Sequence, residues 1–246
     1  MFLRLLVVAA LSVSALAADP PQDLHLFLLI GQSNMAGRGT VEPQDQETNP
    51  RIFMLNQQNE WELARDPLHF DKPNIAGVGL ASEFARTLAN RDPQMKIGLI
   101  PCAFGGTSLD QWKPGSQLYN QALERARIAQ KRGTIDGILW HQGEADSSAA
   151  KVATYADRFA AMIAQLRTDL AVPNAPVVIG ELGRFLGNGE AFNQNLPSVA
   201  AKVPRCAVVT TEDLNHRGDK VHFDSPSLRS LGQRYAAAYL KLAGAK

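Results

Sequence analysis

Leu24-His25-Leu26-Phe27-Leu28-Leu29-Ile30 runs straight into Gly31-Gln32-Ser33-Asn34-Met35. A run that is apolar at every position but one fits a strand covered on both faces, because a strand with one wet face alternates apolar with polar residues. The glycine-flanked polar turn behind it marks where the chain leaves the sheet. Similar runs recur at residues 51–55, 96–101, 137–140, 177–180 and 207–211. Helical stripes lie between them. Leu80, Phe84 and Leu88 share one face, as do Tyr155, Phe159, Ile163, Leu166 and Leu170. Near the end, Ser225-Pro226 reads as an N-cap and first helical position, with Leu228, Leu231, Tyr235 and Leu242 as the buried stripe behind it. Strands alternating with helices predict a parallel sheet covered by helices on both faces. No repeat, low-complexity tract or linker divides the chain, so a single domain is expected.

Composition narrows the possible partners. The 246 residues are 45% hydrophobic and 20% charged, the balance of an ordinary globular protein. Lys and Arg number 25 against 24 Asp and Glu. Without an excess of positive charge, nucleic acid is not an expected partner. Residues 1–17 read as a secretory signal: Arg4 gives the positive start, Leu5 to Leu16 the apolar middle, and Ala15-Leu16-Ala17 the cleavage site. Its apolar part is too short to span a bilayer, which takes roughly 18 residues or more. The mature domain would then be residues 18–246, secreted or periplasmic, with no membrane span. Export would expose Cys102 and Cys206 to an oxidising compartment, but a domain of this size needs no staple, and two buried thiols are expected.

In an open α/β sheet, ligands sit beyond the carboxyl ends of the strands. Four segments there draw attention. Ser33, in the turn after the first strand, is placed as a nucleophile at a helix N-terminus; taken alone, such a serine reads first as an N-cap. Gly105-Gly106 follows the third strand and would let backbone amides approach a ligand, although paired glycines also simply make turns. His141-Gln142-Gly143-Glu144-Ala145-Asp146 gathers an imidazole, an amide and two carboxylates after the fourth strand. His141 and Glu144 lack the helical spacing of a zinc site and no third ligand stands out, so no metal is expected; His141 also reads as a packing residue. Finally, Asp219 precedes His222 by three residues, a spacing at which the carboxylate can meet Nδ1 while Nε2 faces outward. No G-x-S-x-G string occurs, which disfavours an ordinary α/β-hydrolase.

Residues 30–37, 101–109 with Trp112, 140–146, and 219–224 leading into 231–236 occur in that order over nearly the whole mature chain. Together they resemble the SGNH hydrolases, and within them the branch of sialate O-acetylesterase domains and the acetylxylan esterases of carbohydrate esterase family six. The resemblance implies a flavodoxin-like three-layer α/β sandwich with a mostly parallel central sheet of five or six strands. It implies Ser33 as nucleophile, His222 as general base and then acid, and Asp219 as the residue that orients His222. The oxyanion hole would comprise the backbone amides of Ser33 and Gly106. The broader clan places Asn where this chain has Ala145, and the side chain of Gln142 would supply the missing donor. Glu144 would stand behind the triad or serve as its alternative acid. No cofactor is implied. The expected substrate is an O-acetylated carbohydrate, acetylated xylan first and O-acetylated sialic acid or another small ester second. A carbohydrate-binding protein on the same fold, without catalysis, is the rival reading. Trp61 and Trp112 are candidates to stack on sugar rings, as against packing in the core.

Overall fold

The computed structural model describes residues 21–244. The expected signal at residues 1–17 lies outside them. The opening strand, β1 (Leu24–Gly31), is buried almost throughout and takes the centre of the sheet. Leu24, Leu26, Leu28 and Ile30 face one layer of helices, while Phe27 and Leu29 face the other, as the two-residue period of a strand requires. Around β1 stand β2 (Ile52–Leu55), β3 (Trp61–Leu63), β4 (Ile97–Pro101), β5 (Gly133–His141), β6 (Val177–Gly180) and β7 (Cys206–Val209), in the order β3-β2-β4-β1-β5-β6-β7. All pair in parallel except β3, which turns back on β2 as an antiparallel edge.

The sheet therefore has seven strands where five or six were expected. The additional strand is three residues long, too short to leave a pattern in sequence. A four-residue helical turn, α1 (Ser33–Ala36), follows β1. Helix α2 (Leu80–Arg91) and the terminal helix α6 (Ser225–Ala243) pack on one face of the sheet; α3 (Gln117–Ala129), α4 (Ala149–Asp169) and α5 (Glu190–Lys202) cover the other. Phe27 of β1, Phe84 of α2 and Tyr239 of α6 meet edge to face with ring centroids 4.9 to 5.9 Å apart, which adds about 0.5–1.5 kcal/mol per pair to the burial itself.

The structure shifts the predicted start of α6 by one residue. Asp224 is the N-cap and its carboxylate accepts from the Ser227 amide at 2.9 Å; Ser225 and Pro226 occupy the first helical positions. Cys102 and Cys206 are free, half-buried thiols packed against the same face of the sheet but separated by three strands, and burial pushes them up to about 11 and about 12. Trp61 and Trp112 are core residues, so neither offers a face to a sugar. Trp112 donates to Thr107 Oγ1 and meets Trp140 edge to face at 5.6 Å. Among the described residues no helix is long and apolar enough to cross a membrane.

Candidate active site

Because β1 lies between β4 and β5 in a parallel register, the loops leaving these three strands open onto one crevice, and the β7–α6 connection closes over it. Gly31 ends β1 at φ +132°, and a Cβ there would lie 2.3 Å from the His141 carbonyl oxygen of the neighbouring strand. Glycine alone allows that approach, and it sets the next turn, with Ser33, at the mouth of the crevice.

Ser33 Oγ lies 3.0 Å from His222 Nε2, and Asp219 Oδ2 lies 2.7 Å from His222 Nδ1. With the imidazole proton on Nδ1, that nitrogen donates to Asp219 and Nε2 accepts from the serine hydroxyl. Asp219 is fixed by its own loop, since Oδ1 accepts from the amides of Val221 and His222 at 2.9 and 2.8 Å. Burial works to raise the Asp219 carboxyl, but these two amides and the imidazole outweigh it and hold the group at about 2. The carboxylate is thus ionised at neutral pH.

Glu144 takes a different place. Its Oε1 accepts from Asn34 Nδ2 at 2.5 Å, while burial raises its carboxyl against the help of that hydrogen bond. Of the two acids, Asp219 is the one hydrogen-bonded to His222. Asn34 is a residue the sequence reading passed over. Its Nδ2 also donates to the Val221 carbonyl at 3.1 Å, and its Oδ1 accepts from the Phe223 amide at 3.1 Å. Asn34 therefore grips both chain neighbours of His222 and ties the imidazole's loop to the serine's turn. Its only mark in the sequence is its place beside Ser33.

The loop after β4 lies across from the serine. Gly105 comes so near that a Cβ on it would meet Ser33 Cβ at 3.4 Å and Arg38 Nη2 at 2.5 Å. Its amide donates to Asp71 Oδ2 at 2.8 Å, and Asp71 is held by Arg38 through contacts of 2.6 and 3.3 Å in a buried ion pair. Burial works to raise Asp71, but the Arg38 guanidinium and the Gly105 amide keep it below the ordinary carboxylate range. The pair clamps the loop at Gly105, and Gly106 follows it at φ +82°. Among the described residues the amides of Ser33 and Gly106 donate to no protein acceptor.

Gln142 does not join them, which corrects the expectation for its side chain. It is buried, and both hydrogens of its amide are engaged, by the Thr107 carbonyl at 3.1 Å and by Asp146 Oδ2 at 2.6 Å. Its Oε1 accepts from the Tyr155 hydroxyl at 2.8 Å. With no donor left for a ligand, Gln142 acts as a strut beneath the loop after β4. His141 is likewise a core residue. Burial lowers its imidazole to about 3, and Nδ1 lies 3.0 Å from the Tyr235 hydroxyl, which itself donates to the Trp140 carbonyl. Among the described residues no group of three His, Cys, Asp or Glu side chains is arranged to hold a metal ion.

Comparison with known proteins gives a consistent result. Residues 23–241 match the model of a family described as carbohydrate esterase, sialic acid-specific acetylesterase. A probable carbohydrate esterase of Arabidopsis thaliana is 32% identical over 241 residues, covering 90% of this chain and 91% of its own. An X-ray structure of an Arabidopsis thaliana protein superposes with a TM-score of 0.81 at 31% identity, covering 90% of this chain and 99% of the other. NanS shares the fold at a TM-score of 0.75 and 20% identity, over 93% of this chain and all of its own. A carbohydrate acetylesterase from Xanthomonas citri does so at 0.69 and 21%, over 91% of this chain and 57% of its own.

Proposed function

The chain belongs to the carbohydrate esterase family of sialic acid-specific acetylesterases, and from that premise we propose that it removes acetyl groups from O-acetylated sugars through an acyl-enzyme formed on Ser33. Membership makes it a carboxylic ester hydrolase acting on carbohydrates. The observation that supports the proposed mechanism is the unbroken line from Asp219 through His222 to Ser33, together with the amides of Ser33 and Gly106, which no protein group among the described residues uses.

The chemistry follows from that geometry. His222 Nε2 takes the proton as Ser33 Oγ attacks the ester carbonyl, and Asp219 stabilises the imidazolium that forms. Charge developing on the carbonyl oxygen meets the amides of Ser33 and Gly106, an arrangement worth roughly 10²–10³ in rate per donor. The imidazolium protonates the departing sugar hydroxyl. Water activated by the same imidazole then attacks the acetyl-serine, releasing acetate and restoring the serine.

Acetylated xylan is the first substrate in this reading and O-acetylated sialic acid the second. The proposed residues 1–17 signal places the enzyme outside the cytoplasm, where polymeric glycans are met. The test is acetate release from acetylated xylan, O-acetylated sialic acid and 4-nitrophenyl acetate, with Ser33→Ala run alongside. Loss of all release in the variant, with its circular dichroism unchanged, is expected. A folded Ser33→Ala protein that still releases acetate at the parent rate would refute the acyl-serine mechanism.

A further inference from the structure

A cavity of about 430 Å³, within the size range of small-molecule sites, opens beside the loop after β4. Phe104 lines this cavity. It immediately precedes Gly105, whose would-be Cβ lies 3.4 Å from Ser33 Cβ. At 39% exposure, Phe104 is one of few large apolar side chains left open to solvent. Its backbone is nevertheless fixed, because its amide donates to the Gly31 carbonyl at 3.0 Å and the next amide is held by Asp71.

The lining at Arg125 is also fixed. The Arg125 guanidinium donates to the carbonyls of Leu55, Asn56 and Pro101 and to Asn59 Oδ1, and it lies 4.9 Å over the ring of Phe70. Every arm of this cation is committed to the protein. By contrast, the side chains of Gln57, Gln121 and Glu124, which also line the cavity, make no hydrogen bond or ion pair with any described residue. Buried His69 lines it too, and its Nε2 lacks a partner.

An open aromatic face beside amides and a carboxylate, on fixed walls, is chemistry suited to a ring of alternating C–H and O–H groups. The ring stacks on the aromatic and its hydroxyls donate to and accept from the amides. Among the described residues that line the cavity, the one uncommitted charge is the carboxylate of Glu124, which repels an anionic ligand. We propose that this cavity is a second glycosyl subsite, taking a neutral pyranose linked to the acetylated sugar held over Ser33. The proposal rests on the carbohydrate acetylesterase reading and deepens it: the enzyme works on oligomeric or polymeric neutral glycans in preference to free sugars.

The experiment compares kcat/KM on acetylated mono- to tetrasaccharides of xylose and of mannose, with 4-nitrophenyl acetate as the reference ester. For the wild-type chain a rise of about tenfold from monosaccharide to oligosaccharide is expected, the worth of one or two net hydrogen bonds. Gln121→Ala and Phe104→Ala are expected to flatten that rise, lowering the ratio of oligosaccharide to reference ester. Sugar esters cleaved at a rate independent of chain length would overturn the subsite alone. So would variants that lose the same factor on every ester. Hydrolysis of 4-nitrophenyl acetate but of no sugar ester would remove the carbohydrate reading, and the subsite with it.

Discussion

Asn34→Ala tests how the serine turn and the histidine loop are held together. The wild-type side chain makes three hydrogen bonds, to Glu144, to the Val221 carbonyl and from the Phe223 amide, and it is buried. Each such bond is worth about 1 kcal/mol net, and the Phe223 amide left unpaired in the core costs about 1–3 kcal/mol more. The total is about 4–6 kcal/mol. For a chain of this size 1 kcal/mol moves Tm by about 2–4 °C, so a fall of about 15 °C is expected in a thermal melt followed by circular dichroism. Because Val221 and Phe223 flank His222, the imidazole also loses its alignment with Ser33, and kcat for 4-nitrophenyl acetate should drop about 100-fold at a temperature where the variant is folded. Asn34→Asp keeps an acceptor for the Phe223 amide but sets a second carboxylate against Glu144, and should lie between the two. A variant Asn34→Ala that melts within about 2 °C of wild type and turns over within twofold of it would refute the idea that this side chain joins the two loops.

Gln142→Leu should lower Tm, because three buried hydrogen bonds are lost, yet reduce kcat by less than the roughly 100-fold that accompanies removal of an oxyanion donor; an unchanged Tm with a 100-fold loss of kcat would restore the side chain as a donor. Asp219 has its carboxyl depressed to about 2 in the fold, so its stabilising effect is present above the ordinary value of 3.8 and disappears as pH falls through 2. Denaturant midpoints of wild type and Asp219→Asn should therefore converge between pH 4 and 2, and curves that stay parallel there would count against the assignment. Asp66 has the opposite sign: burial raises it to about 7 despite the hydrogen bond from the Gly79 amide, so its contribution is full below 3.8 and is lost as pH rises through 7. Asp66→Asn should accordingly be more stable than wild type by up to about 4 kcal/mol near pH 8, with the gap closing below pH 4; equal stability at both pH values would show that the carboxyl is not protonated in the fold.

The sequence made legible those parts of the molecule whose physics is local. β1 announces itself because every residue from Leu26 to Ile30 is apolar and buried, and β6 is read to its last residue for the same reason. β5 starts four residues before its predicted bound because Thr134 and Asp136 sit on its half-open beginning, where a strand needs no apolar side chain. Helix α3 escaped notice because its buried stripe is largely alanine, Ala122, Ala126 and Ala129 beside Tyr119, and small side chains give little periodic signal. Helix α5 is crossed by Pro197, which reads as a break.

At the candidate site the same division holds. Asp219 and His222 lie three residues apart on one loop, so their hydrogen bond was foreseeable from spacing. Asn34 meets Glu144 across 110 positions and Arg38 meets Asp71 across 33, and no local pattern marks either pair. The donor assigned to Gln142 fails for a related reason: its partners Thr107, Asp146 and Tyr155 converge only in three dimensions.

The hydrogen bond between Ser33 and His222 spans 189 positions. The serine therefore leaves the ribosome 189 residues ahead of the histidine proposed as its base, so a chain released between the two would hold the proposed nucleophile with nothing to take its proton. On the proposed mechanism, esterase turnover requires that synthesis has passed residue 222, however well the sheet has formed before then.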